Sequence, residues 1–306
     1  MSAMEILNHT SAMAVDTSLA GQLDNSYIQL QNLELQATTG KQINQPSDNP
    51  AGTATALQLN AEISQLSSYS AAATAGTGQL NAADSVLSSI NTTLQQVQSD
   101  VMQGANASSQ DKTTLSALAA NVTALKQTLL TDANSNYNGV PLFSGTVNTS
   151  PYANASANPP DYTYTGGSVA PTVAVGPGQR VPVGVTGQAV FGSGTGSVFA
   201  LLDQISSDLT SGNTAALSGT DLTQLKQAMS TASSAQATIG TATDELQTAQ
   251  TQNTAKSTAL QTSVSNVVDA NEAVVASQLS LQETQYQAAL SIVAKVIQPT
   301  LAEYIQ

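Results

Sequence analysis

Apolar residues recur at alternating spacings of four and three over long stretches of this chain. Leu19, Leu23, Leu30 and Leu33 lie on one such row near the N-terminus. Three later rows repeat the spacing: Leu59, Ile63 and Leu66; Leu80, Ala83, Leu87, Ile90, Leu94, Val97 and Val101; Leu115, Leu118, Val122, Leu125 and Leu129. Because such residues occupy the a and d positions of a heptad, the pattern predicts helices that pack as coiled coils.

The last third of the chain carries the most regular row. Its members follow one another at intervals of seven: Leu225, Ala232, Ile239, Leu246, Asn253, Leu260, Val267, Val274, Leu281 and Ala288. Asn253 interrupts the apolar character, as a residue that fixes the register of a coiled coil would. An unbroken helix from Asp221 to Ile297 would be about 110 Å long. We therefore expect it to pair with the N-terminal helices in an antiparallel bundle.

Glycine and proline mark a different region between the helical ones. Seven of the ten prolines lie between Pro141 and Pro182, and 11 of the 20 glycines lie between Tyr137 and Gly196. Alternating runs such as residues 162–164 predict short strands there. Nearer the N-terminus, Asn49 and Pro50 predict the N-cap and first residue of a helix, because proline has no N–H to leave unpaired.

These patterns predict a mainly α fold: an elongated antiparallel helical bundle or coiled coil, with the N- and C-terminal helices paired and a small β-rich inserted domain. The predicted segments are an N-terminal helical arm (1–45) that pairs with the C-terminal arm, bundle helices (46–136), the β-rich insert (137–196), further bundle helices (197–260) and the C-terminal arm (261–306). Since loop closure depends weakly on length, we expect a short linker in place of Ser150–Gly187 to leave the bundle folded.

Composition narrows the possible partners and compartments. A net charge of −13 disfavours nucleic acid and anionic membrane surfaces. The absence of cysteine excludes disulfides and zinc–thiolate sites. Residues 1–20 contain acidic but no basic residues, and no apolar run is long enough for a membrane-spanning helix. We expect neither a Sec signal nor membrane insertion.

Candidate catalytic chemistry is scarce. His9 is the single histidine, and Asp244 and Glu245 fall on a heptad helix, where a solvent-exposed face is expected. The glycine-rich run Gly192–Gly196 lacks the Lys-Ser/Thr of a phosphate-binding loop. Because acid, base and nucleophile do not occur as a recognisable set, we expect no enzymatic activity, no cofactor and no metal site.

The two ends of the chain are each predicted to form one amphipathic helix beyond the bundle. A helix with an apolar stripe must bury it, and packing the two ends together would leave much of the stripe exposed. We therefore expect these helices to contact partner subunits. The candidate interface residues are Leu19, Leu23, Leu30, Leu33, Val267, Val274, Leu281, Ala288 and Ile292.

Four segments resemble the flagellin superfamily in both order and spacing. They are ATTGKQINQPSDNPAG (37–52), LNAADSVL (80–87) with QGANAS (103–108), NGVPLFSGT (138–146), and YQAAL (286–290) with the ending LAEYI (301–305). The prolines of residues 46–50 and the LFSGT run are closer to the hook-filament junction proteins of that superfamily than to flagellins. The chain differs in lacking the arginines that the family commonly carries in the first segment, where Gln42 stands.

The resemblance implies a structural role at the junction between the flagellar hook and the filament, where the protein would template flagellin assembly. The implied partners are further copies of the chain in a ring or helical oligomer, the first hook-associated junction protein, flagellin and a flagellar export chaperone. The implied location is extracellular, in the flagellum, after export by the flagellar type III route.

Two alternatives remain open at this point. The first is a flagellin that forms the filament itself. The second is a binding module in which Tyr152, Tyr162 and Tyr164 of the insert recognise a carbohydrate, although tyrosines at alternate strand positions are more often packing residues.

Overall fold

The computed structural model describes residues 3–107, 111–155, 157 and 160–303, and of residues 3–16 and 295–303 it describes the backbone alone. The helices in this part of the chain are α1 (Ala3–Thr39), α2 (Pro50–Asn106), α3 (Lys112–Ala133), α4 (Gly187–Phe191), α5 (Val198–Ser211), α6 (Thr214–Ala216), α7 (Leu222–Val268) and α8 (Glu272–Glu303). The strands are β1 (Asn136–Tyr137), β2 (Val140–Pro141), β3 (Thr172–Gly176) and β4 (Gln179–Pro182). The predicted mainly α fold with a small β region is confirmed.

The chain forms two compact units. The first combines the two chain ends, up to Ser64 and from Thr258, and the second comprises Gln65–Ser257. Helices α2 and α7 each contribute residues to both units. The strands form two antiparallel hairpins, β1–β2 and β3–β4, both within the second unit.

In the first unit, the link from α1 to α2 follows the predicted pattern. Gly40 ends α1 with a φ of 67°, a left-handed conformation that suits glycine. The Asp48 carboxylate then accepts the backbone N–H groups of Asn44 at 2.9 Å and Gln45 at 2.8 Å. Asn49 caps α2 by accepting the N–H of Gly52 at 2.9 Å, and Pro50 is the first helical residue, as predicted.

The region that carries the regular C-terminal row forms two helices, with a break between α7 and α8. Residues there pair with the end of α1: the N–H of Ala270 donates to the Gly40 carbonyl at 2.8 Å, and the N–H of Gln42 donates to the Val268 carbonyl at 2.8 Å. Asn271 then begins α8 by accepting the N–H of Val274 at 3.3 Å. The stretch from Asp221 to Ile297 is therefore not one unbroken helix, and local periodicity does not reveal the pairing that divides it.

In the second unit, the heptad rows of α2, α3 and α7 form one core together with α5 and the β hairpins. The fully buried side chains include Leu80, Leu87, Ile90, Leu94, Leu115, Leu129, Leu202, Ile205 and Leu209. Their burial removes the apolar row of each helix from water, which is the main stabilising contribution to such a bundle.

The β-rich insert is part of this core. Val175, Val181, Val183 and Val185 are buried in the same cluster as the helical leucines. Asn253, the polar residue in the C-terminal row, donates from Nδ2 to the carbonyl of Val175 at 2.9 Å. The helices bury part of their apolar rows against the insert, so replacement of Ser150–Gly187 by a short linker would expose part of this core.

Aromatic and polar contacts fix the insert further. Tyr152 is fully buried, with its ring centroid 4.9 Å from that of Phe199, and its hydroxyl lies 2.7 Å from the Gly192 carbonyl oxygen. Tyr162 donates to Asp203 of α5 at 2.5 Å, and Lys126 of α3 donates to the same carboxylate at 2.5 Å. The insert is thus held to two helices of the second unit by both packing and hydrogen bonds.

Candidate assembly surface

Helices α1 and α8 form an antiparallel pair in the first unit. An antiparallel backbone β-bridge joins Lys41 to Asp269, and hydrogen bonds join Ser26 to Gln282. Residue numbers therefore fall along one helix as they rise along the other, which shows that the pair is antiparallel. The α1 residues that face α8 are buried or half-buried: Leu19, Leu23, Ser26, Leu30 and Leu33. The α8 residues that face α1 are likewise Val275, Leu279, Gln282, Tyr286, Ala289 and Val293. We call these the inner rows.

A second apolar row on α8 is exposed. Its members are Val274, Leu281, Ala288 and Ile292, and the relative exposures of Val274, Leu281 and Ile292 are 49%, 59% and 56%. Because successive residues of a helix are about 100° apart, this row lies about a quarter turn from the inner row. We call it the lateral row.

The structure therefore divides the predicted interface residues into two groups. Those on α1, with Leu30 the most buried, pack within the chain against α8. Those on α8 are exposed, and Val267 is half-buried near the end of α7. The lateral row is the part of the predicted surface that the chain itself leaves exposed.

Sequence reasoning missed the inner row of α8. Val275, Leu279, Gln282, Tyr286, Ala289 and Val293 have the same alternating spacing of four and three as the other rows. Counting in steps of seven residues from Leu225 led instead to the prediction that Val274 and Leu281 belong to the interface. The interruption between α7 and α8 shifts the heptad phase by one residue, so this column moves from the buried face to the lateral one.

The electrostatic setting of this surface is acidic. Residues 17–64 and 258–294 contain seven carboxylates and one lysine, Lys41. The lateral row itself carries no charge. A partner that covers it must therefore offer apolar side chains and avoid a strongly acidic rim.

The other candidate functional residues from the sequence either have structural roles or have side chains that the structure does not describe. Tyr152 and Tyr162 are buried and Tyr164 is half-buried, so these rings pack in the core and do not form a carbohydrate platform. Gly192 has a φ of 77°, in a turn that leads into α5. The side chain of His9 is outside the described residues.

The described part of the chain offers few other sites. Asp244 and Glu245 are exposed on α7. Among the described residues, His, Cys, Asp and Glu side chains do not gather in groups of three that could hold a metal ion. Over the same part of the chain, the helices lack the combination of length and apolar character needed to cross a bilayer.

Comparison with known proteins agrees with this architecture. The family profile described as the bacterial flagellin N-terminal helical region matches residues 9–148. Flagellar hook-associated protein 3 of Salmonella typhimurium is 26% identical over 303 residues, covering 91% of this chain and 93% of the relative. The resemblance to the flagellin superfamily is confirmed.

Two further comparisons concern a second hook-associated relative and a solved structure of similar fold. Flagellar hook-associated protein 3 of Escherichia coli is 27% identical over 188 residues, which cover 61% of this chain and 57% of that protein. The crystal structure of the flagellar junction protein FlgL from Legionella pneumophila has the same fold, with a TM-score of 0.56 and 18% identity. It matches 69% of this chain and 100% of the Legionella chain. Both curated relatives named here are hook-associated proteins, as the LFSGT run indicated.

Proposed function

We propose that this chain is the hook-filament junction protein of a bacterial flagellum. Copies of the chain form a ring or helical oligomer between the first hook-associated junction protein and the filament, and present a template on which flagellin assembles. The protein acts through subunit contacts, not as an enzyme, and it uses no cofactor.

The observation that carries this proposal is the exposed lateral row beside a buried inner row on the same helix. An apolar row that the chain leaves uncovered is typical of a protein–protein contact. In a ring of identical subunits, the row on one copy would pack against the terminal helices of the next copy. The α1 residues Leu19, Leu23, Leu30 and Leu33 contribute indirectly, because they hold α1 against α8.

Location and export follow from the same assignment. The relatives are named as flagellar proteins, which supports a place in the flagellum. We propose that the chain travels there unfolded by the flagellar type III route with the help of an export chaperone. Its lack of cysteine suits such a route, because premature disulfides cannot form.

Charge introduced into the lateral row tests the role. The variant Leu281→Glu/Ile292→Glu should fold but should not restore filament growth in a strain that lacks the chain, so that flagellin monomers appear in the medium. Ser280→Glu/Ser291→Glu is a matched control, because it adds the same charges at the same spacing to exposed positions facing away from both rows. Normal filaments with the first variant would refute the proposed surface.

Deletion of the whole chain separates the junction role from that of a flagellin. Loss of a junction protein should leave hooks that release flagellin into the medium. Loss of a flagellin should instead leave hooks that already carry their junction proteins and release no filament subunit. Electron microscopy of isolated hooks, together with immunoblotting of the medium, distinguishes the two results.

A further inference from the structure

Each inner row of the α1–α8 pair contains one polar residue, and the two meet. Gln282 is buried, and its Nε2 donates to Ser26 Oγ at 2.9 Å and to the Ser26 carbonyl oxygen at 3.1 Å. Between Leu19 and Leu33, the other members of the α1 row are leucines. Beside this polar layer, the rings of Tyr27 and Tyr286 lie 5.8 Å apart.

Helix α8 has two apolar rows that could face α1. The inner row contains Val275, Leu279 and Val293, and the lateral row contains Val274, Leu281 and Ile292. A rotation of about 100° about the helix axis would exchange these rows, and it would bring Gln278 and Gln285 to the places that Leu279 and Tyr286 now hold against α1. Apolar burial therefore favours the inner row, but because it is non-directional it does not by itself fix the orientation of the helix.

The polar layer discriminates between them. If α8 turned to present Leu281 to α1, Gln282 would move away from Ser26, and both hydrogen bonds would be lost. The half-buried hydroxyl of Ser26 would then face leucine in place of the Gln282 amide, and the directional contact between the two helices would be absent. Single polar residues in coiled-coil seams select one arrangement in this way.

We propose that the Ser26–Gln282 polar layer determines which face of α8 packs on α1, and so keeps the lateral row free for the neighbouring subunit. The functional consequence rests on the assembly role proposed above. The choice of face is a property of the isolated chain and can be tested without hooks or filaments.

The chain offers a matched pair of reporters for this test. Ala288 lies on the lateral row and Ala289 on the inner row, and the sequence has no cysteine of its own. In full-length Ala288→Cys and Ala289→Cys proteins, we expect a maleimide to label position 288 several-fold faster than position 289. Equal rates in this background would show that α8 has no fixed face, and would overturn the proposal.

The decisive test compares the ratio of labelling rates before and after substitution of Ser26 and Gln282. Ser26→Leu leaves the buried Gln282 amide facing a leucine, so we expect α8 to lose its fixed face and the ratio of labelling rates to fall by at least several-fold. Adding Gln282→Leu should restore the ratio, because the inner row then has no amide left facing leucine. Gln31→Leu adds a leucine at an exposed position of α1 and should leave the ratio unchanged.

The outcomes separate this proposal from the assembly role. An unchanged ratio in Ser26→Leu, or failure of the double variant to restore it, overturns face selection by the polar layer. Either result leaves the charge-substitution test of the lateral row standing. Conversely, normal filaments with Leu281→Glu/Ile292→Glu would refute the proposed assembly surface. The labelling experiment would still show which face of α8 packs against α1.

Discussion

Asp221 is a buried carboxyl group at the end of a π-helical turn, Leu217–Asp221. Its Oδ2 atom lacks a hydrogen-bond partner. Nearby Asp208 is also buried and accepts hydrogen bonds from Gln204 at 2.7 Å and Asn213 at 3.0 Å. Burial, and after it the charge of Asp208, raises the pKa of Asp221 to about 6. Asp221 is therefore protonated in the folded protein at pH values where an unfolded aspartate is charged.

This raised pKa makes stability depend on pH in a defined direction. Because the folded pKa exceeds the unfolded value, the favourable contribution is complete below about pH 4 and is lost as pH rises through 6. Asp221→Asn removes the titration while keeping the shape. We expect the free energy of unfolding of the variant, relative to the parent, to rise by on the order of 2 kcal/mol between pH 4 and pH 7.

Urea denaturation at the two pH values measures this difference. The other carboxylates are present in both proteins, so their contribution cancels in the difference between the free energies of unfolding of the variant and the parent. Asp244→Asn, at an exposed position, should change the free energy of unfolding by a few tenths of a kcal/mol at most. A pH-independent difference for Asp221→Asn would contradict the raised pKa.

At the scale of elements, the glycines of α2 show how the helices accept the insert. A Cβ atom at Gly76 would lie 2.6 Å from Val183 Cγ1, and one at Gly78 would lie 2.7 Å from the Tyr137 hydroxyl. The heptad pattern of α2 is interrupted at these glycines, but the helix continues through them. The interruption therefore marks the surface on which the insert packs.

Gly76→Ala should destabilise the second unit. Alanine favours helix by about 1 kcal/mol over glycine, but the clash with Val183 displaces a well-packed core, which costs about 1–3 kcal/mol. We expect a net loss of up to about 2 kcal/mol in the free energy of unfolding. Gly240→Ala on α7 is the control, because a Cβ there meets nothing within 4 Å. It should stabilise by about 0.5–1 kcal/mol. Equal effects of the two substitutions would show that Gly76 is not a packing site.

The sequence predicts the elements better than their interactions. Heptad spacing located the long helices, and Asn49 with Pro50 marked the start of α2. The interruption at residues 269–271 was missed because Asp269, Ala270 and Asn271 include neither glycine nor proline, and the pairing that causes it comes from the end of α1. The residues of the lateral row were predicted to form an assembly surface. The inner row, whose packing leaves them exposed, was missed because it depends on this interruption.

At the scale of the whole molecule, each unit has its own buried contacts. The second unit contains the large core of leucines and aromatic rings, whereas the first depends on the α1–α8 inner rows. This division suggests that folding stability and assembly reside mainly in different segments. Terminal segments whose backbone is not needed by another core tolerate truncation.

Truncation of Gln278–Gln306 tests this division. The segment supplies most of α8 and the lateral residues Leu281, Ala288 and Ile292, but none of the second unit. The midpoint of the main thermal transition should change by less than about 4 °C, the shift that roughly 1 kcal/mol produces in a domain of this size. Incorporation at the hook tip should be abolished, because the lateral row is gone.

Calorimetry of the purified chain and complementation of a deletion strain give the two measurements. The full-length Leu281→Glu/Ile292→Glu variant serves as the companion, because it removes the apolar surface while retaining α8. If truncation lowers the main transition by 10 °C or more while the companion does not, α8 supports the core of the second unit and the division is wrong. If both retain the transition and neither assembles, stability lies with the second-unit core and assembly with the lateral row of α8.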